Sequence, residues 1–151
     1  MKIAFFELEG WEEKIIREAF PSEDLYLSQS KVTSLCLPET NEFEIVSVFV
    51  DSKVDQTVFE CFPKVKCIAT RSTGYDHVDL KTAQSKGVSV LYVPAYGTHT
   101  VAEFTFGLIL NLTRKLYQSI DQVKETGSFS LKGLRGNDLR EKTLGITFSL
   151  N

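Results

Sequence analysis

No apolar run in this 151-residue chain reaches membrane length. The longest, from Phe104 to Leu112, is interrupted by Thr105, Gly107 and Asn111 and is far short of a span. The start, Met1-Lys2-Ile3-Ala4-Phe5-Phe6, reaches Glu7 before an apolar region of secretory length has formed, and no small-residue cleavage site follows. Basic charge is equally scarce: 17 Lys and Arg stand against 20 Asp and Glu, a net charge of -3 with no basic stripe. Binding to nucleic acid or to a membrane is therefore not expected. The three cysteines, Cys36, Cys61 and Cys67, have no metal-like spacing and read as buried thiols of a reducing compartment. A soluble cytoplasmic protein is expected.

What is present is an ordinary globular balance, 42% apolar and 25% charged. A compact domain of this size buries roughly 70% of the surface its unfolded chain exposes, so a true core is attainable. Apolar runs of strand length alternate with helix-like segments, the pattern of βαβ units around a parallel sheet. Strands are expected over residues 2–7, 24–28, 45–50, 66–70 and 88–93. The β-branched run 45–50 suits a strand covered on both faces. Helices are expected over 11–20, with Trp11, Ile15, Ile16 and Ala19 on one face before Pro21, over 54–62, and over 78–86 before Gly87. The fold class is α/β, an open parallel sheet of flavodoxin-like or Rossmann-like kind.

The character changes after Pro94. Thr98 and Thr100 are possible N-caps, and Glu103 stands at capping-box distance from Thr100. One helix is expected from Val101 to about residue 126, a rod of about 40 Å. It is apolar on nearly every face as far as Leu112 and one-sided thereafter, with Leu116, Ile120 and Val123 in a stripe. A helix apolar all round must be buried, so this one is expected to pack on a second domain or subunit. Residues 127–142 read as an exposed connection, and 143–148 as the start of another strand. The expected division is 1–98 for one α/β domain and 99–151 for the long helix, connection and first strand of a second.

Three stretches together carry a family resemblance. They are Ile68-Ala69-Thr70-Arg71-Ser72-Thr73-Gly74-Tyr75-Asp76-His77-Val78-Asp79, then Lys86-Gly87-Val88-Ser89-Val90-Leu91-Tyr92-Val93-Pro94-Ala95-Tyr96, then Val101-Ala102-Glu103 opening the long helix. In order and spacing they resemble the D-2-hydroxyacid dehydrogenase family, and Val93-Pro94-Ala95-Tyr96 looks closest to its D-lactate dehydrogenase branch. Leu37-Pro38-Glu39-Thr40 and the segment Gly136-Asn137-Asp138-Leu139 to Ile146 extend the resemblance over nearly the whole chain. The resemblance implies that backbone amides near Ser72, Thr73 and Gly74 hold a substrate carboxylate, that Tyr96 contacts the substrate, and that a small 2-hydroxy or 2-oxo acid is the partner. It also implies NAD as the family's cofactor and a homodimer through the helix 101–123.

One departure is specific. In the family a Gly-x-Gly-x-x-Gly turn would follow Ile146, and here Thr147-Phe148-Ser149-Leu150-Asn151 follows instead. The family's catalytic arginine, glutamate and histidine lie beyond that point, and neither His77 nor His99 takes the histidine's place. The chain is thus expected to be the amino-terminal part of a dehydrogenase, inactive alone, with no catalytic, metal or tight cofactor site. The alternatives are a non-catalytic carboxylate-binding or dimerisation module, or half of a split enzyme.

The candidate residues have plainer readings too. The loop 71–76 follows a strand and precedes a helix, where open sheets bind ligands. A helix N-terminus and loop amides suit an anion, and Gly74 would turn with positive φ and admit a ligand closely. Equally, it is an ordinary βα turn whose Asp76 and Asp79 cap the next helix. Arg71 would steer an acid or merely solvate the loop. Tyr96 would meet substrate or be an aromatic buried at a hinge. Glu103 reads as a helix-start residue rather than a catalyst.

Overall fold

The computed structural model describes residues 1–32 and 42–147, and its chain forms two compact units, Met1–Tyr96 and the residues from Gly97 onward. Leu37-Pro38-Glu39-Thr40 lies outside the described residues, as do the last residues of the expected terminal strand.

In the first unit the order is β1 (Lys2–Phe5), α1 (Glu12–Ala19), β2 (Asp24–Leu27), β3 (Ile45–Val48), α2 (Gln56–Cys61), β4 (Cys67–Thr70), α3 (Leu80–Ser85) and β5 (Ser89–Leu91). The five strands make one parallel sheet in the order β2-β1-β3-β4-β5. Crossovers between parallel strands are right-handed, so the unit stepping outward from β1 to β2 and those stepping the other way carry their helices on opposite faces. Period-2 alternation along β1 serves both. Ile3 and Phe5 join Leu8 and Ile16 of α1, with Leu25, Leu27 and Ile45 against them. Ala4 and Phe6 join the larger cluster with Val46, Val48, Val58, Phe59, Phe62 and Ile68. Each large apolar side chain taken from water contributes on the order of 1.5–3 kcal/mol, and the larger cluster dominates that sum. Phe6, Tyr26, Phe43 and Phe62 pack in a closed circuit within it, tilted at each contact but the edge-on Phe6–Phe62 pair.

Local chemistry sets the helix starts. Asp55 accepts from the amides of Thr57 and Val58 and opens α2, and Asp79 does the same for Lys81 and Thr82 at α3. These caps shorten both helices relative to the sequence expectation. Val54 and Val78 lie outside them and form an isolated parallel bridge with each other. On α1 only Ile16 is buried; Trp11 and Ile15 are exposed, so the expected four-residue face reduces to one anchor. Cys61 is disulfide-bonded, which corrects the expectation of three thiols. Cys67 is free and half-buried, and burial pushes its thiol above the usual pKa.

The second unit holds α4 (Thr98–Arg114) and α5 (Leu116–Thr126). The expected single rod is two helices, because Lys115 takes a left-handed conformation with φ 53. The Asn111 side chain accepts from the Tyr117 amide at 3.0 Å, which satisfies the first turn of α5 across the break. Lys115 Nζ donates to Gly133 O at 2.8 Å, and the Asn137 amide donates to Thr113 O at 2.8 Å, tying the following connection to the same corner. Helix α4 opens at Gly97 rather than on a Thr98 or Thr100 capping box. No residue of α4 or α5 is buried within this chain, which leaves the apolar surface of α4 open. Residues 143–147 form neither strand nor helix, so the expected strand is not made within the described residues. None of the described helices is long and apolar enough to cross a membrane.

Candidate carboxylate loop at the sheet's carboxyl edge

Strand order places the topological switch between β1 and β3, and ligands of open α/β sheets bind outside the carboxyl ends of strands there. The chain leaves β4 on that edge and turns through residues 71–78 before α3 begins. The amides of residues 72–77, those of Ser72, Thr73 and Gly74 first among them, donate to no protein acceptor among the described residues. Ser72 is buried while Thr73 and Gly74 are exposed, so these donors are open to solvent or to an anion on one turn. The turn itself is well held. Ser72 is buried, and its Oγ donates to Gly74 O at 2.6 Å. Ser72 O accepts from the Val93 amide at 3.1 Å, and Thr73 Oγ1 donates to Val93 O at 3.1 Å. The loop is thereby pinned to the segment after β5.

Gly74 does not have positive φ, so the conformational reason expected for it does not apply. A Cβ there would meet only Asp76 Oδ2 at 3.9 Å, leaving open space above the amides. Of the two aspartates weighed as caps, Asp79 is one; its carboxyl is held below the usual range first by the Thr82 hydroxyl and then by the Thr82 amide. Tyr96 is 63% exposed. Tyr75 and Tyr92, flanking the pinned loop in sequence, pack with ring centroids 5.2 Å apart. His77 Nε2 is buried with no partner among the described residues, so no carboxylate orients it for proton transfer.

Arg71 differs most from its sequence reading. Its guanidinium is neither a loop solvator nor presented outward. Nη2 donates to Phe6 O and Glu7 O, each at 2.8 Å, and Nη1 donates to Ser47 Oγ at 3.1 Å. Nε lies 3.7 Å from Glu12 Oε1, and Cζ lies 6.0 Å from the Phe49 ring centroid. Burial pushes the guanidinium below its ordinary pKa, while Glu12 and Glu7 oppose that shift. Glu7 was not singled out by sequence reasoning. Its position directly after the first strand, a half-buried carboxylate closing an apolar run, is the signal that could have found it. Its Oε2 and Oε1 accept from the amides of Phe49 and Asp51 at 2.7 Å each.

Known proteins bear the same pattern. The family described as D-isomer specific 2-hydroxyacid dehydrogenase, catalytic domain, matches residues 6–147. A 2-hydroxyacid dehydrogenase homolog of Schizosaccharomyces pombe is 38% identical over 152 residues, covering 97% of this chain and 45% of that protein. The D-lactate dehydrogenase of Escherichia coli is 31% identical over 150 residues, again covering 97% of this chain and 45% of the relative. The chain thus spans less than half the length of these relatives. Among solved structures, the D-lactate dehydrogenase of Aquifex aeolicus complexed with NAD and lactic acid superposes with a TM-score of 0.85 at 31% identity, over 91% of this chain and 41% of that one. With the family matched across nearly all of its residues and the same parallel fold in its solved relatives, this chain belongs to the D-isomer specific 2-hydroxyacid dehydrogenase family.

Proposed function

We propose that this chain is the amino-terminal, substrate-side part of an NAD-dependent D-2-hydroxyacid dehydrogenase of the D-lactate kind. In this reading residues 1–98 are the substrate domain and 99–151 the beginning of the nucleotide side. The observation that carries it is the turn after β4 on the carboxyl edge of the sheet, where the amides of Ser72, Thr73 and Gly74 open the run 72–77 that has no protein acceptor among the described residues. They hold the carboxylate of a small 2-hydroxy or 2-oxo acid, each N–H making a charge-assisted bond to a carboxylate oxygen. Tyr96, exposed shortly after β5, supplies an aromatic and hydroxyl contact to the rest of the acid. Arg71 belongs to the site through the loop it anchors rather than through the ligand.

No NAD site is assigned to the described residues. A pyrophosphate requires a glycine-rich turn running into a helix N-terminus. No such turn is formed among the described residues, and 143–147 are neither strand nor helix. In this reading the described residues contribute carboxylate binding, and none of them is assigned as a general acid or base. Turnover depends on holding reacting atoms in place, so the loop alone binds without reacting.

The exposed apolar surface of α4 supports a homodimer through the helices at 101–123. The test is titration of the purified chain with NADH, then pyruvate and D-lactate, following fluorescence and absorbance. No NADH response and no turnover are expected, with weak carboxylate binding. Tight NADH binding or turnover overturns the reading.

A further inference from the structure

We propose that Arg71 and Glu7 are positioning residues, a latch across the switch point that sets where the Ser72–Thr73–Gly74 amides stand. This rests on the carboxylate-binding reading above. Strands β1 and β4 are not neighbours; β3 lies between them. The Arg71 side chain reaches over β3 and takes two carbonyls at the end of β1, Phe6 O and Glu7 O, and the Ser47 hydroxyl of β3 on the way. Its own amide donates to Val48 O at 2.9 Å. The residue immediately before the open amides is therefore fixed to two other strands at once.

Glu7 makes the receiving end rigid. It holds φ 55, an uncommon conformation for a residue other than glycine, which aims its carbonyl away from the continuing strand path. Its carboxylate bridges the Phe49 and Asp51 amides, and its own amide donates to Ser30 O at 3.0 Å. Loops after β1, β2 and β3 thus meet at one residue. Beyond the open amides, Thr73 Oγ1 and Ser72 O close the loop onto Val93. Both flanks of the cradle are anchored, and Arg71 anchors the sheet side. A planar guanidinium satisfies acceptors in several directions together, whereas a lysine ammonium on a flexible stem does not reproduce that fork.

The experiment uses the whole chain, labelled with ¹⁵N, and oxamate as the carboxylate probe. Amide shifts at Ser72, Thr73 and Gly74 report binding, and ¹⁵N relaxation at the same residues without ligand reports how firmly the loop is held. The shifts of Ala4, Val46 and Ile68 report the fold. In Arg71→Lys the oxamate Kd rises about tenfold, as expected for losing hydrogen bonds to a charged group. The three loop amides become more mobile while the sheet shifts stay in place. Glu7→Gln gives the same pattern more weakly, and serves if Arg71→Lys does not fold. In Arg71→Ala, added ethylguanidinium restores oxamate affinity, which a general loss of stability does not predict. Folded variants with unchanged Kd and unchanged loop relaxation overturn the latch and leave the carboxylate reading standing. If the unmodified chain shows no oxamate response, the carboxylate reading fails. Relaxation of the loop in the variants then decides the latch alone.

Discussion

Replacing Phe104 by aspartate should abolish self-association of this chain. Val101, Phe104, Leu108 and Leu112 fall at helical spacing along α4 and are 65%, 69%, 49% and 77% exposed, one continuous apolar stripe. Complete burial of such a side chain is worth roughly 1.5–3 kcal/mol, and about two-thirds of that remains to be gained at each position. Four side chains from each of two copies therefore offer on the order of 8–16 kcal/mol before the cost of association. That cost is about 4–15 kcal/mol, so the balance is narrow and one side chain matters. Phe104→Asp removes about 1.5 kcal/mol from each copy and sets a charge into each face. A two-fold dimer feels the change twice, about 3 kcal/mol, or more than a hundredfold in Kd. The assay is light scattering or sedimentation at concentrations on the order of tens of micromolar, with helicity followed by circular dichroism, since aspartate is a poorer helix former. An unmodified chain that stays monomeric there refutes the reasoning. So does a Phe104→Asp chain that is helical and still dimeric.

Acid should weaken the fold through its helix caps. Thr57 and Thr82 hydroxyls, followed by backbone amides, hold the Asp55 and Asp79 carboxyls below their ordinary value of 3.8. A depressed folded-state pKa contributes stability that is present above the unfolded value and is lost as pH falls through the lower, folded one. Urea melts should thus lose midpoint below about pH 4. The double variant Asp55→Asn, Asp79→Asn, which caps without titrating, should show a shallower fall; an identical slope would count against the cap assignment. At the other unit, a Cβ on Gly136 would collide with Thr113 O and stand 3.0 Å from Arg114 Cα, both backbone atoms that cannot swing aside. Gly136→Ala should cost about 1–3 kcal/mol of local stability. It should free the Asn137 amide from Thr113 O, read as faster hydrogen exchange at Asn137; unchanged exchange would refute it.

Much of the fold was legible because its signals are local. Parallel strands buried on both faces read as β-branched runs, and Ile45–Val48 is one. Period-2 alternation and one-turn spacing placed five strands and the helices between them, and the loop at 71–76 stood out from strand-turn-helix order with a family pattern upon it. The ends of elements were less legible, since Asp55 and Asp79 pull the helix starts inward through side-chain bonds that periodicity does not register. The break at Lys115 was hidden for a similar reason. Lysine has no special preference for a left-handed turn, and what stabilises it is Asn111 reaching Tyr117 and Lys115 reaching Gly133.

What the amino-acid order determined by itself is the α/β class, the strands and the place of the loop after β4, because burial patterns and turn chemistry are properties of neighbours in the chain. What only the tertiary structure decided is what Arg71 and Glu7 do. The Arg71 bonds to Phe6 and Glu7 span more than sixty residues. No window of sequence contains both ends of that contact, and the same arginine in isolation reads as a free charge. Strand order brings the ends together, and the buried carbonyls at the end of β1 then need a donor that only a long, multidentate cation from β4 supplies.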